Sequence, residues 1–247
     1  MNLESLIDVF DEPLPAGFQI VYPESDGMPM GETDVHRAWM AWITSVLTQR
    51  YAGQRAYITS NLLLYVEEDN PMRYVVPDVF LVKAHDSHDR RVYKLWEEGK
   101  PPNVVFEVTS KKTRAQDRRD KPAIYEQIGV AEYFLYDPTA GYLKPALQGM
   151  RLGPKGYVRL KADREGNLFS EQLDALLRLD GTELLMIDRA SKQVLLDETD
   201  TALEVARAAL RAAEAERREK EAERAARLSV EAELERLRAL AKKHGLE

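Results

Sequence analysis

Hydrophobic positions along this chain change period several times, and each change predicts an element. DVHRAWMAWITSVLTQRYA, from Asp34 to Ala52, sets Trp39, Ile43, Val46 and Leu47 at helical spacing. AYITSNLLLYVEE and RYVVPDVFLVKA read as strands, with the turn EDNPM between them. A long polar segment follows from Lys83 to Asn103. Then NVVFEVTSKKT opens with a buried-strand pattern, a helix is predicted from about Thr113 to Ile128, and EYFLYD is a strand stopped by Pro138. Residues 141–197 hold short strand-like runs, GYVRL, ELLMID and KQVLL, punctuated by glycine. From Glu198 to Lys243 the chain is almost wholly Ala, Glu, Arg, Lys and Leu, which predicts one long helix closed by Gly245. This order predicts an α/β (α+β) fold with a mixed central sheet flanked by helices. The expected division is a domain over residues 1–197 and a helical tail over 198–247.

The tail has a narrow apolar stripe. Leu203 and Leu210 are seven apart, Leu234, Leu237 and Ala241 follow a 3-4 pattern, and the middle offers only alanines. Such a helix reads as a coiled coil or as a solvated rod.

Two predicted strands carry a carboxylate where alternation calls for an apolar residue. Side chains alternate faces along a strand. Val105, Glu107 and Thr109 therefore share one face, and Val104, Phe106 and Val108 the other. In VVPDVFLV, Asp78 shares a face with Val76 and Phe80. A buried carboxylate is costly unless it is paired, hydrogen-bonded or holding a metal. If the strands are neighbours in register, the two acids converge and need a cation or a shared proton. Mg²⁺ suits that arrangement, because it prefers oxygen ligands and keeps waters.

On the helix after Glu107, Thr113, Asp117, Lys121, Tyr125 and Gly129 recur every four residues and track one face. Thr113 and Gln116 form a capping-box pattern at its start, and Gly129 is placed to end it. Pro122 should remove one helical hydrogen bond and kink the helix near Arg118.

Composition narrows the function classes. No cysteine is present, so disulfides, thiol catalysis and zinc–thiolate sites are excluded. The first residues lack the basic and apolar regions of a signal peptide, and no apolar run reaches membrane-spanning length. A cytoplasmic protein is expected. The net charge of −7 and pI near 5.4 argue against binding nucleic acid by bulk positive charge. They leave room for local engagement, since a metal-binding acid cluster itself adds negative charge.

The spaced set of Pro77-Asp78, FEVTS with Glu107, T-x3-D-x3-K-x3-Y-x3-GV-x-EY from Thr113 to Tyr133, and Asp137-Pro138 resembles the PD-(D/E)xK nuclease superfamily. More narrowly it is similar to the putative restriction endonuclease family of bacteria. YPESDGMPMGETDVHR and the Ala/Glu/Arg tail are similar to one branch of that family. The resemblance spans roughly residues 15–197 and the tail, and implies a restriction-endonuclease-like core. It also implies a metal-dependent DNA endonuclease, with Mg²⁺ or Mn²⁺ held by Asp78, Glu107 and the carbonyl of Val108. Glu32, just before the first helix, is carried over as a further metal ligand. The sequence departs from the pattern at Thr109, where E-x-K nucleases have a lysine. Lys121 is the first choice for the missing cation, with Lys111 and Lys112 nearer in sequence. A homodimer, formed through the tail and cutting both strands, is the implied assembly.

Other readings compete. Glu107 and Lys121 can form a buried ion pair with no metal. Asp117 and Lys121 can be an ordinary surface pair, and Tyr125 a packing residue. His85 and His88 invite a metal reading with Asp86 and Asp89 but sit in what reads as a polar loop of mixed charge, and His36 could approach the site, with helix-end packing the preferred reading. The alternative for the whole chain is a catalytically degenerate nuclease fold that binds nucleic acid or a partner.

Overall fold

The computed structural model describes residues 20–25, 33–110 and 114–243. The chain divides into two compact units after Leu195. In the first, the elements in order are α1 (Asp34–Arg50), β1 (Ala56–Ser60), β2 (Leu64–Tyr65), β3 (Tyr74–Val75), β4 (Val79–Lys83), β5 (Tyr93–Lys94), α2 (Leu95–Glu98), β6 (Val104–Val108), α3 (Arg114–Ile128), β7 (Glu132–Tyr136), β8 (Leu147–Gly153), β9 (Gly156–Arg159), β10 (Leu168–Ser170), β11 (Ala175–Asp180) and β12 (Glu183–Asp188). The fold is mixed α/β. Its centre is a six-stranded sheet in the order β1-β4-β6-β7-β8-β9, joined by two three-stranded sheets, β10-β11-β12 and β3-β2-β5. Only β6 and β7 pair in parallel within the large sheet, and α3 is the crossover that parallel pairing requires.

Local sequence explains the main elements. Thr33 caps α1 by accepting the His36 N–H at 3.2 Å, and His36, Met40, Ile43 and Leu47 bury one face. All five residues of β6 are buried, as expected of a central strand covered on both faces. The helix α3 runs on through Pro122 and ends in a Schellman motif. There Gly129 takes φ 85°, its N–H meets the Glu126 carbonyl at 3.2 Å, and the Val130 N–H meets the Tyr125 carbonyl at 2.9 Å. The proposed Thr113–Gln116 cap lies outside the described residues.

The sheet has a core on each face. One packs Ile43 and Leu47 of α1 against Val79, Leu81, Val104, Phe106 and Val108, and extends to Leu177 and Met186. The other packs Tyr125 of α3 against Phe80, Val105, Tyr133 and Leu135. The alternation expected for β6 is thus observed.

Two predicted strands are broken. The stretch from Ala56 splits at Asn61, whose φ of 52° lies in the left-handed region that Asn tolerates. The Asn61 N–H turns to the carbonyls of Pro77 and Asp78 at 3.2 and 3.1 Å. The stretch from Arg73 splits at Pro77, which has no N–H for a ladder. As a result β1 and β4 join the large sheet while β2 and β3 join a small one. KQVLL forms no strand and contributes one bridge, Val194 to Ile187. The polar segment contains β5 and α2, tied by Arg90 to Glu98 at 2.6 Å, with His85 on the same carboxylate at 2.7 Å. That accounts for His85 as structure. Asp86 pairs instead with Arg55.

The second unit is α4 (Glu198–Lys243), 46 residues of continuous helix. Leu203, Val205 and Leu210 are exposed on it. Ion pairs at helical spacing, such as Arg217–Glu221 and Lys220–Glu216, line its surface. No helix among the described residues is long and apolar enough to cross a membrane.

Candidate active site

The register of β4 and β6 builds the site. Val79 pairs with Phe106 and Phe80 with Val105, so one step further places Asp78 opposite Glu107 on the face covered by α3. The ladder stops there, and a side chain replaces it. The Val108 N–H donates to Asp78 Oδ2 at 2.7 Å. A strand residue directs its N–H and C=O to the same side, so the Val108 carbonyl also looks toward Asp78.

The helix α3 lays its polar face over these acids. Lys121 Nζ donates to Glu107 Oε2 at 2.6 Å and to the Val76 carbonyl at 3.0 Å, and lies 3.4 Å from Asp117 Oδ1. The Tyr125 hydroxyl donates to Glu107 Oε1 at 2.5 Å, and the Tyr133 hydroxyl to the Asp117 carbonyl. From α1, His36 Nε2 approaches Asp78 Oδ2 at 3.2 Å. Glu107 is 0% exposed, and Asp117, Lys121 and His36 are buried with it.

Charge is unbalanced. Three carboxylates, Asp78, Glu107 and Asp117, face one ammonium. Burial pushes the Glu107 carboxyl well above its ordinary range; Lys121 pulls it down, while Asp78 and Asp117 push it further up. Burial works against the Lys121 charge, but Glu107, Asp78 and Asp117 together outweigh it and raise its pKa. Burial and then Glu107 raise the Tyr125 hydroxyl, which stays a donor.

The donors suit a hard divalent ion. Asp78, Glu107 and the Val108 carbonyl offer only oxygen, and the surplus of acid favours added positive charge. Among the described residues no three His, Asp or Glu side chains already converge as a metal cluster. Each oxygen of Glu107 has one partner here, Lys121 or Tyr125. A carboxylate has about four acceptor positions, so an ion can share Glu107 with both.

The structure therefore brings together Asp78, Glu107, Val108 and Lys121. The buried Glu107–Lys121 pair is also present, so the two readings of Glu107 overlap. Asp117 is buried rather than part of a surface pair. Glu32, Lys111 and Lys112 lie outside the described residues. Thr109 is buried, its N–H donating to the Tyr136 carbonyl at 2.6 Å, and its hydroxyl has no hydrogen-bond partner among the described residues. His36 reaches the site, which its reading as helix-end packing underestimated. The signal was present: positions 36, 40, 43 and 47 share the buried face of α1. Asp137 does not join the acids; its carboxylate accepts the backbone N–H groups of Thr139, Tyr142 and Leu143 and holds the loop after β7.

Comparison with known proteins identifies the family. The Uma2 family, described as "Putative restriction endonuclease", matches residues 23–180, more than half of the chain. No curated protein matches. One similar solved structure is a putative nuclease of the DUF820 group from Anabaena variabilis. It is 12% identical, with a TM-score of 0.43, and the match covers 59% of this chain and 76% of that one. The chain belongs to the Uma2 family of putative restriction endonucleases.

Proposed function

We propose that the protein is a metal-dependent endonuclease that hydrolyses DNA phosphodiester bonds at Asp78, Glu107 and Lys121. The observation that carries this reading is the convergence of Asp78 and Glu107 under Lys121, inside a family described as "Putative restriction endonuclease". A purely structural Glu–Lys pair has no need of two further carboxylates.

In this reading Asp78, Glu107 and the Val108 carbonyl hold Mg²⁺ or Mn²⁺, and Glu32 is a further candidate ligand. Such an ion lowers the pKa of bound water and neutralises charge on the scissile phosphate. Lys121 supplies a fixed positive charge beside the carboxylates, the role of the absent E-x-K lysine, and would stabilise the developing negative charge. Tyr125 orients Glu107, and the Val108 N–H and His36 fix Asp78. The exposed leucines of α4 support a homodimer paired through that helix. Light scattering on the full chain should give twice the monomer mass, and Leu203→Glu with Leu210→Glu should halve it.

The test is supercoiled plasmid with Mg²⁺ or Mn²⁺, comparing wild type, Glu107→Ala and wild type in EDTA. Nicking or linearisation by wild type alone supports the proposal. No cleavage by folded wild type in either metal overturns it. A second reading, nucleic-acid binding without cleavage, draws on the engagement of both Glu107 oxygens by Lys121 and Tyr125. It expects no divalent-ion stabilisation, whereas the first expects a rise in melting temperature that Glu107→Ala abolishes.

A further inference from the structure

Positive charge in the first unit is sorted by position. Every lysine and arginine from Arg37 to Lys100 makes an ion pair or a hydrogen bond. The side chains of Lys144, Lys155, Arg159, Lys161, Arg164 and Arg178 make none among the described residues. Residues 144–178 hold seven Lys and Arg against four Asp and Glu, a local surplus of positive charge in a chain of net charge −7.

Three of these cations rim one groove of about 590 Å³. Arg159 comes from the end of β9, Lys161 from two residues beyond it, and Arg178 from β11. Glu165 is the single acid on the lining, and Leu147, Leu160, Leu168 and Leu179 form an aliphatic floor. These leucines belong to the α1-side core or pack against it, so the groove is an open edge of that core.

Its position ties it to the acids. Leu147 pairs with Tyr136, and Tyr136 pairs with Val108, whose N–H holds Asp78. Strands in a sheet lie about 4.8 Å apart, so the floor begins about 10 Å from that N–H, on the α1 face of the sheet, opposite the face that Glu107 occupies.

We propose that this groove seats a nucleic-acid strand that runs past the end of β6, where His36 of α1 also reaches Asp78, toward the acids, its phosphates against Arg159, Lys161 and Arg178 and a base or sugar on the leucine floor. The choice of nucleic acid as occupant rests on the nuclease reading above. An acidic protein acting on a polyanion needs its cations concentrated where the strand lies. Cations already paired with carboxylates gain less from phosphate than unpaired ones, and three unpaired ones rim this groove.

The test is fluorescence anisotropy with a labelled single-stranded oligonucleotide in EDTA, which stops metal-dependent cleavage, across 50–200 mM salt. The proteins are full-length wild type, Arg159→Ala/Lys161→Ala, and Lys192→Ala, a cation outside the groove. Removing two phosphate contacts should lower the slope of log K against log salt by about 1.4, at about 0.7 per contact for single strands. Lys192→Ala should match wild type. Arg159→Glu/Lys161→Glu, at two exposed positions, should weaken binding further with an unchanged melting temperature. Equal affinity and slope in wild type and groove variants, or no binding by wild type, overturns the groove. Plasmid cleavage is scored separately. Cleavage untouched by groove variants leaves the nuclease standing and the groove refuted, and groove-dependent binding without cleavage does the reverse.

Discussion

Replacing Glu107 with glutamine should raise the stability of the metal-free protein relative to wild type progressively as pH rises from the acid range. Glu107 is fully buried, and burial with Asp78 and Asp117 outweighs Lys121 to raise its pKa in the folded state. In the unfolded chain the same carboxyl ionises near pH 4.3. A group that holds its proton more tightly when folded contributes stability that is fully present below the unfolded pKa. That stability is lost as pH rises toward the folded pKa, at about 1.36 kcal/mol per pH unit. Glutamine has nearly the same shape and no proton to lose, so Glu107→Gln removes this slope. Between pH 5 and 6 the variant should gain on wild type, by up to about 1 kcal/mol. Any fixed cost, such as the Tyr125 hydroxyl exchanging its acceptor, offsets both ends equally and leaves the slope intact. Urea unfolding in EDTA at half-unit steps from pH 4.5 to 7 measures it. Parallel profiles for the two proteins would refute the reasoning, because they would mean that Lys121 keeps Glu107 ionised when folded.

Three other substitutions probe the scaffold. Tyr125→Phe removes the hydroxyl that donates to Glu107 Oε1, and urea unfolding should report a loss of about 1–3 kcal/mol, with plasmid cleavage reduced alongside. Buried Glu132 accepts from Arg151 at 2.8 Å, from the Glu171 and Gln172 N–H groups, and from the Ser170 hydroxyl. Glu132→Ala strands all of these donors and should cost about 3–5 kcal/mol in chemical denaturation; a loss under 1 kcal/mol would mean that water replaces the carboxylate. At Gly149→Ala the new Cβ would meet the Phe134 ring at 2.8 Å and Leu160 at 2.9 Å. The resulting overpacking should cost about 1–3 kcal/mol, read as a lower melting temperature.

The parts legible in the sequence are those where one period governs. Helical spacing located α1 and α3, and strand alternation assigned each side chain of β6 to its face. Together they predicted the meeting of Asp78 and Glu107, because a carboxylate inside an apolar run is a contradiction that demands a partner. Breaks set by single residues were harder to see. Asn61 turns the chain by a left-handed conformation that its side chain permits but does not announce. The strand β8 was missed because LQGMRLG is interrupted by glycines. Gly149 belongs in a strand all the same, since the Phe134 ring fills the space its side chain would need. The strands β10 and β11 were passed over as well. The unpaired cations of the groove come from two different sheets, β9 in one and β11 in another. No local pattern relates them.

The parallel pairing of β6 and β7 also sets the order in which a growing chain can complete this site. Thirty residues separate Asp78 from Val108, and 14 separate Glu107 from Lys121. At synthesis rates of about 5–20 residues per second, the carboxylates leave the ribosome seconds before their lysine. Glu107 cannot be buried in that interval, because one neighbour of its strand, β7, and its counter-charge both arrive with or after α3. The crossover helix thus delivers the cation and the route to the missing strand in one segment. A chain cut short before α3 keeps the acids but has neither the lysine nor the strand needed to enclose them.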